Sequence, residues 1–87
     1  MTSKTAEFEQ SLLKVQHLIA QTTGNEIEDV YSDSQIEDLN LFGVDLKRVM
    51  VAINTAFGIS LNVDMIETEV ETVHDLAMLV HEEAFLG

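Results

Sequence analysis

The sequence lacks cysteine and proline altogether, and its four basic residues face sixteen acidic ones, for a formal net charge of −12. Without cysteine the chain can form no disulfide framework, no thiolate zinc site and no cysteine nucleophile. Without proline, the chain lacks the residue that most strongly breaks a long helix. A surface this acidic repels phosphate backbones and lipid headgroups, so we expect no nucleic-acid partner and no membrane insertion. The charge favours basic protein patches as partners.

Long hydrophobic runs are also missing. The segment from Met1 to Glu9 has no continuous apolar core of the kind found in secretory signals. No other stretch approaches the length of a membrane span, and we therefore expect a cytoplasmic protein. Hydrophobic types still make up 46% of the 87 residues, and no repeat or low-complexity tract divides them. The sequence predicts a single, monomeric domain over residues 1–87.

Apolar residues recur with a helical period in three segments. The first predicts helix I over about residues 6–22, with Thr5 as its N-cap and Gly24 as its stop. The second predicts helix II from Val44 to Phe57. The third starts at Thr72-Val73-His74-Asp75, a capping-box variant. The core stripes are Phe8, Leu12, Val15 and Ile19, then Leu46, Val49, Met50, Ile53 and Phe57, then Val73, Leu76, Ala77, Val80 and Ala84.

The connections between these segments complete the predicted fold. Residues 25–42 are acidic and rich in turn formers, and we expect their scattered apolar side chains to hold this long loop across the helices. Asn62 is placed to cap a short helix III through Val63, Met65 and Ile66. The sequence therefore predicts an all-α, four-helix bundle with three longer helices, one short helix and a long loop between helices I and II.

Side chains that could bind metal are present in unfavourable patterns. Glu71, His74 and His81 lie on or before the last helix, but a di-iron site needs inward carboxylates from other helices, where the stripes are apolar. The acidic residues 29–40 lack the glycine and the alternating oxygen ligands of a calcium loop. We expect solvated histidines, no metal site and no catalytic residue, and hence a protein that is not an enzyme.

Several motifs resemble those of the acyl carrier protein family and follow one another in the same order. Together they extend over nearly the whole chain. Glu37-Asp38-Leu39 is similar to the segment before helix II of that family, and Phe57-Gly58-Ile59-Ser60-Leu61 to the exit from helix II. Thr72-Val73-His74-Asp75-Leu76 is similar to the start of helix IV. Helix I and its stop match through Val15, Leu18, Ile19 and Gly24. The resemblance implies a helical bundle that carries an acyl chain on a phosphopantetheine arm, attached to a serine that opens helix II.

The chain departs from the family at that serine. The family pattern reads Asp-Leu-Gly-x-Asp-Ser-Leu, and a register without gaps places Gly43 at the serine. The same register places Asn40 at the glycine, Phe42 at the aspartate and Val44 at the leucine. A second register matches Gly43-Val44-Asp45-Leu46 to Gly-x-Asp-Ser-Leu with the serine deleted. Neither register has a hydroxyl to attack the phosphate of coenzyme A, so we expect no phosphopantetheine. Gly43 is then interpreted as a residue chosen for backbone freedom.

Helix II also differs from the family in charge. The resemblance implies acidic residues there, which face basic patches on partner enzymes. Here Lys47 and Arg48 are two of the four basic residues of the chain. Asn54 and Thr55 stand where acidic residues are expected, and only Asp45 has the expected negative charge. The basic pair either relieves self-repulsion in an acidic domain or indicates a changed partner. Phe42 is either an exposed interface anchor or packs inward under helix II.

These features suggest a binding module without the arm, which docks on acyl-processing enzymes of fatty-acid, polyketide or specialised lipid metabolism. The predicted docking residues are Phe42, Val44, Asp45, Lys47 and Arg48. Two alternatives stay open. One is a working acyl carrier whose serine was lost or replaced. The other is a helical protein that binds a small apolar ligand in a cleft lined by Met50, Met65 and Met78.

Overall fold

The computed structural model describes the backbone of residues 4–86 and the side chains of residues 7–85. Its elements are α1 (Lys4–Thr23), α2 (Val44–Phe57), α3 (Val63–Glu69), α4 (Val73–His81), 3₁₀ turns at Ile27–Asp29 and Glu37–Leu39, and a π-helical turn at Glu82–Leu86. No β-strand occurs between residues 4 and 86. The predicted all-α bundle, with its short third helix and long first loop, is confirmed. None of the described helices is long and apolar enough to span a membrane.

The predicted ends of the first two long helices are close to those observed. Helix α1 already includes Lys4, so Thr5 lies within the helix and the prediction that it is the N-cap is wrong. The helix ends where the Gly24 N–H donates to the carbonyl of Ala20 at 2.9 Å. Helix α2 ends at Gly58, whose N–H donates to the Asn54 carbonyl at 2.8 Å. Both glycine stops are therefore confirmed.

Side-chain caps begin the last two helices, as predicted. The Asn62 carboxamide oxygen accepts from the Met65 N–H at 2.9 Å and caps α3. At α4 the Thr72 hydroxyl accepts from the Asp75 N–H at 3.1 Å, and the Asp75 carboxylate accepts from the Thr72 N–H at 3.2 Å. The capping box therefore satisfies backbone donors that the helix itself leaves unpaired.

The core lies between the long helices, where α1 packs against both α2 and α4. The predicted apolar stripes of α2 and α4 face it, because residues three and four positions apart share one side of a helix. Phe8 and Leu12 of α1 are half-buried at its edge. The buried apolar residues are Val15, Ile19, Ala20, Val30, Ile36, Leu41, Leu46, Val49, Ile53, Leu61, Ile66, Val70, Val73, Leu76, Ala77 and Val80.

The long loop between α1 and α2 is held in two ways. Val30, Ile36 and Leu41 are buried in the core, which confirms the predicted role of its apolar residues. In addition, the Ile36 N–H donates to the Glu71 carbonyl at 2.8 Å, and the Val73 N–H donates to the loop carbonyl of Ser34 at 2.9 Å. These backbone bonds join the loop to the start of α4, a pairing that sequence periodicity does not reveal.

Candidate docking site at the start of α2

The approach to α2 turns sharply at Asn40. This residue has φ 59° and ψ 32°, the left-handed conformation, and its N–H donates to the Glu37 carbonyl at 3.0 Å. Asparagine tolerates this conformation better than other residues with side chains. Leu41 follows and is buried, so the chain is fixed in the core immediately before it emerges at Phe42.

Gly43 is the N-cap of α2 and has an unusual backbone, with φ +63° and ψ −128°. This conformation is favourable only for a residue without a Cβ. Neighbouring atoms do not exclude a side chain at this position, because a Cβ built on Gly43 meets no atom within 4 Å. The glycine is therefore required by its own backbone geometry and not by a neighbouring side chain.

Two apolar side chains flank Gly43 and extend into solvent. Phe42 is 64% exposed and Val44 is 66% exposed. Of the two alternatives for Phe42, exposure is therefore confirmed and packing under the helix is wrong. Phe42 lines a groove of about 300 Å³, whose other lining residues are Ile36, Glu37, Leu41, Leu46, Ile66 and Glu67.

The charged residues predicted for docking share the exposed side of α2. Asp45, Lys47 and Arg48 are all exposed. Asp45 lies in the first turn, where a negative charge interacts favourably with the positive end of the helix dipole. The structure therefore brings all five predicted docking residues together on one continuous surface at the start of α2.

One further residue of this surface was missed by the sequence prediction. Val51 is 58% exposed, although it lies in the middle of an apolar-rich helix. It stands seven positions after Val44 and three after Arg48, and such spacings place residues on the same face of a helix. The sequence did indicate this exposure, because Val51 does not belong to the core-facing stripe that includes Val49 and Ile53.

Asn54 has a structural role that accounts for an amide at a position where the family resemblance implies an acid. Its side-chain amide donates to the Leu61 carbonyl at 3.0 Å and its oxygen accepts from the Leu61 N–H at 2.9 Å. A carboxylate could accept from the N–H but could not donate to the carbonyl. At this position the reduced negative charge of α2 follows from the connection to α3.

The three methionines suggested to line a ligand cleft differ in their exposure. Met50 and Met65 are half-buried against the core, and Met78 is exposed. None of them lines the groove beside Phe42 or a groove of about 560 Å³ between α1, Phe57 and Phe85.

The histidines differ from one another in environment. His17 and His74 are exposed, as predicted. His81 is half-buried, and its Nδ1 lies 3.3 Å from the hydroxyl of buried Ser11, so the prediction of a solvated surface position is wrong for this residue. Within the described residues, no cluster of three or more histidine and acidic side chains could hold a metal ion.

Similarity to known proteins agrees with this architecture. Two curated relatives, both named acyl carrier protein and from two strains of Streptococcus pneumoniae, are each 34% identical over 71 residues. The matches cover 82% of this chain and 92% of each relative. The chain belongs to the acyl carrier protein family. No family model matches it.

The start of α2 does not fit attachment of the phosphopantetheine arm expected in an acyl carrier protein. Attachment requires a hydroxyl nucleophile there, and Gly43 has no side chain. Ser34 lies in the preceding loop, where its hydroxyl accepts from the Tyr31 N–H at 3.0 Å within a turn. The residues that begin α2 therefore provide no attachment point for the arm.

Proposed function

We propose that this chain is a docking module of the acyl carrier protein family that works without a phosphopantetheine arm and is not itself an enzyme. Its partners are acyl-processing enzymes of fatty-acid, polyketide or specialised lipid metabolism. Contact is made by the exposed surface of Phe42, Val44, Asp45, Lys47 and Arg48. The observation that carries this proposal is the glycine-only backbone of Gly43 between two exposed apolar side chains.

The helix boundary supports the register in which Gly43 replaces the attachment serine. Helix α2 begins at Val44, so Gly43 directly precedes the first helical residue. In the alternative register the deleted serine would lie between Asp45 and Leu46, inside the first turn. Leu46 is buried there, and the family resemblance implies a serine that opens the helix. The gapless register therefore agrees better with the fold.

The backbone also argues against a working carrier whose serine was simply replaced. A single serine-to-glycine change in a functional carrier would leave a turn that residues with side chains can adopt. Gly43 instead has φ +63° and ψ −128°, and the left-handed turn residue is Asn40 at the motif's glycine position. This pattern supports a turn rebuilt around Gly43.

The cytoplasmic, monomeric, single-domain protein over residues 1–87 stays a prediction.

Intact-mass spectrometry tests the proposal. We expect the purified protein to keep its mass after incubation with coenzyme A and a promiscuous phosphopantetheinyl transferase, because Gly43 provides no nucleophile. A carrier protein with an intact Asp-Ser-Leu motif is the positive control. A gain of one phosphopantetheine on the unchanged chain would overturn the proposal and show that another hydroxyl is the attachment site.

Variants refine this test. Gly43→Ser alone should be modified poorly, because its backbone strains any side chain and the flanking motif is altered. The triple change Phe42→Asp, Gly43→Ser and Val44→Leu rebuilds the Asp-Ser-Leu triplet and should be modified to a greater extent. If the folded triple variant stays unmodified, α2 has also diverged as a transferase surface, which supports a dedicated partner.

A further inference from the structure

The docking residues of α2 form part of a longer exposed stripe. Val51 lies seven positions after Val44, and Lys47 and Arg48 lie between them, three or four positions from each valine. All four residues are exposed, so they lie on one side of the helix. Phe42 extends the stripe beyond the helix start. We call these five residues the α2 ridge. Leu46, Val49 and Ile53 cover the opposite, core-facing side.

The α2 ridge has apolar ends and a basic centre. Val44 and Val51 are separated by about 10 Å along the helix axis, at about 1.5 Å per residue. Lys47 and Arg48 lie between them. Neither valine contributes to the core cluster, so folding alone gives no reason for apolar side chains at both ends. Exposed apolar residues grouped with an aromatic side chain are typical of an interaction surface.

The charge of the ridge is opposite to that of the whole chain. The chain has a net charge of −12 and only four basic residues, of which two are Lys47 and Arg48. A second copy bound through the same surface is a poor occupant, because Lys47 and Arg48 of one copy would face the same two cations of the other. A basic partner is also disfavoured, since its cations would meet Lys47 and Arg48 at the centre of the contact.

We propose that the α2 ridge binds an acidic protein surface, in which apolar pockets for Phe42, Val44 and Val51 surround carboxylates that pair with Lys47 and Arg48. Arginine binds carboxylates through two parallel hydrogen bonds, and flanking apolar contacts exclude water from such pairs. This inference rests on the proposed docking function and specifies its partner. The partner is opposite in sign to the basic patches that the family resemblance implies.

Peptide selection tests the sign of the partner without knowing its identity. A phage-displayed library of random peptides is selected on the immobilised full chain and depleted on a Phe42→Ser, Val44→Ser, Val51→Ser variant. Depletion removes peptides that bind elsewhere, and it imposes no charge preference because Lys47 and Arg48 are kept. We expect the remaining peptides to combine carboxylates with aromatic or aliphatic residues.

The selected peptides are then measured against charge variants. Lys47→Ala with Arg48→Ala should weaken binding at least about tenfold, and added salt should weaken binding to the unchanged chain. Lys14→Ala is the control, because Lys14 lies on α1, with its ammonium 5.2 Å from the centre of the Phe57 ring. It should change the affinity by less than about twofold.

Three results would overturn the inference: neutral or basic selected peptides, no ridge-dependent peptide, or peptide binding unaffected by loss of Lys47 and Arg48. Binding of the chain to phosphatidylglycerol vesicles through the same two residues would also overturn it, since the ridge would then contact lipid. None of these results adds mass in the transferase experiment, so failure of the inference is distinguishable from failure of the proposed function.

Discussion

The starts of α4 and α2 differ in their capping and in the exposure of their apolar side chains. Helix α4 begins with a complete capping box, in which Thr72 and Asp75 exchange side-chain and backbone hydrogen bonds. Helix α2 is preceded by its N-cap residue Gly43, which provides no side-chain cap and lies between exposed Phe42 and Val44. A cap stabilises a helix and exposed apolar groups do not, so the start of α2 lacks this stabilisation, as the proposed docking role allows.

The two helix starts are nevertheless connected through the long loop. Backbone hydrogen bonds join Ile36 to Glu71 and Ser34 to Val73, and Leu41 is buried just before the chain reaches Phe42. The stable start of α4 therefore helps to position the uncapped start of α2. Substitutions at the two sites should separate backbone strain, capping and charge.

The largest effect is expected from Gly43→Ala. We expect a loss of about 1–3 kcal/mol in the free energy of unfolding, because alanine cannot adopt the Gly43 backbone without strain. Urea denaturation measures this loss. The control is Gly58→Asn at the end of α2, where φ 68° and ψ 38° are acceptable for asparagine and a smaller loss is expected. Equal stability of Gly43→Ala and the unchanged chain would contradict the assigned strain.

A smaller effect is expected from removal of the α4 cap. Thr72→Ala should lower the free energy of unfolding by about 1 kcal/mol, since the Asp75 N–H loses its acceptor. Thr55→Ala on the exposed side of α2 is the matched control and should change stability by less than about 0.5 kcal/mol. If the two threonine variants were equally stable in urea, the capping box would contribute nothing measurable.

The smallest effect is a pH dependence that arises at Asp75. The Glu71 backbone N–H, followed by that of Thr72, lowers the pKa of the Asp75 carboxyl below its ordinary value of 3.8. Because the folded-state pKa is the lower one, this stabilisation is present above pH 3.8 and is lost as the pH falls through the folded-state pKa.

Thermal unfolding of Asp75→Asn and the unchanged chain measures this contribution. The unchanged chain should have the higher Tm near neutral pH, and the difference should shrink progressively below pH 3.8. A Tm difference that stays constant throughout this acidic range would show that the carboxylate charge does not contribute through these hydrogen bonds.

Prediction from the sequence worked best where local chemistry determines structure. The caps at Asn62 and Thr72 and the stop at Gly58 depend on hydrogen bonds between neighbouring residues, and all are confirmed. It was incomplete where distant segments meet. The contact between His81 and Ser11 joins α4 to α1, and no pattern within either helix indicates it.

At the candidate site the same distinction holds for individual residues. The absence of a hydroxyl at Gly43 can be read from the sequence, because it follows from the identity of a single residue. The exposure of Phe42 could not be decided, since an aromatic beside a helix start can pack in either direction. Val51 was missed because an apolar residue in a helix is usually assigned to the core.

By itself the sequence determined the helical periods, the caps at Asn62 and Thr72, the glycine stops, the excess of negative charge and the absence of a hydroxyl at Gly43, since each follows from composition or from residues close together in the chain. Only the tertiary structure decided which apolar side chains are left in solvent. Burial of Leu41 and Leu46 and the bonds between the loop and α4 orient the start of α2. That orientation exposes Phe42, Val44 and Val51 together, because a helix with one face in the core must present its other face to solvent.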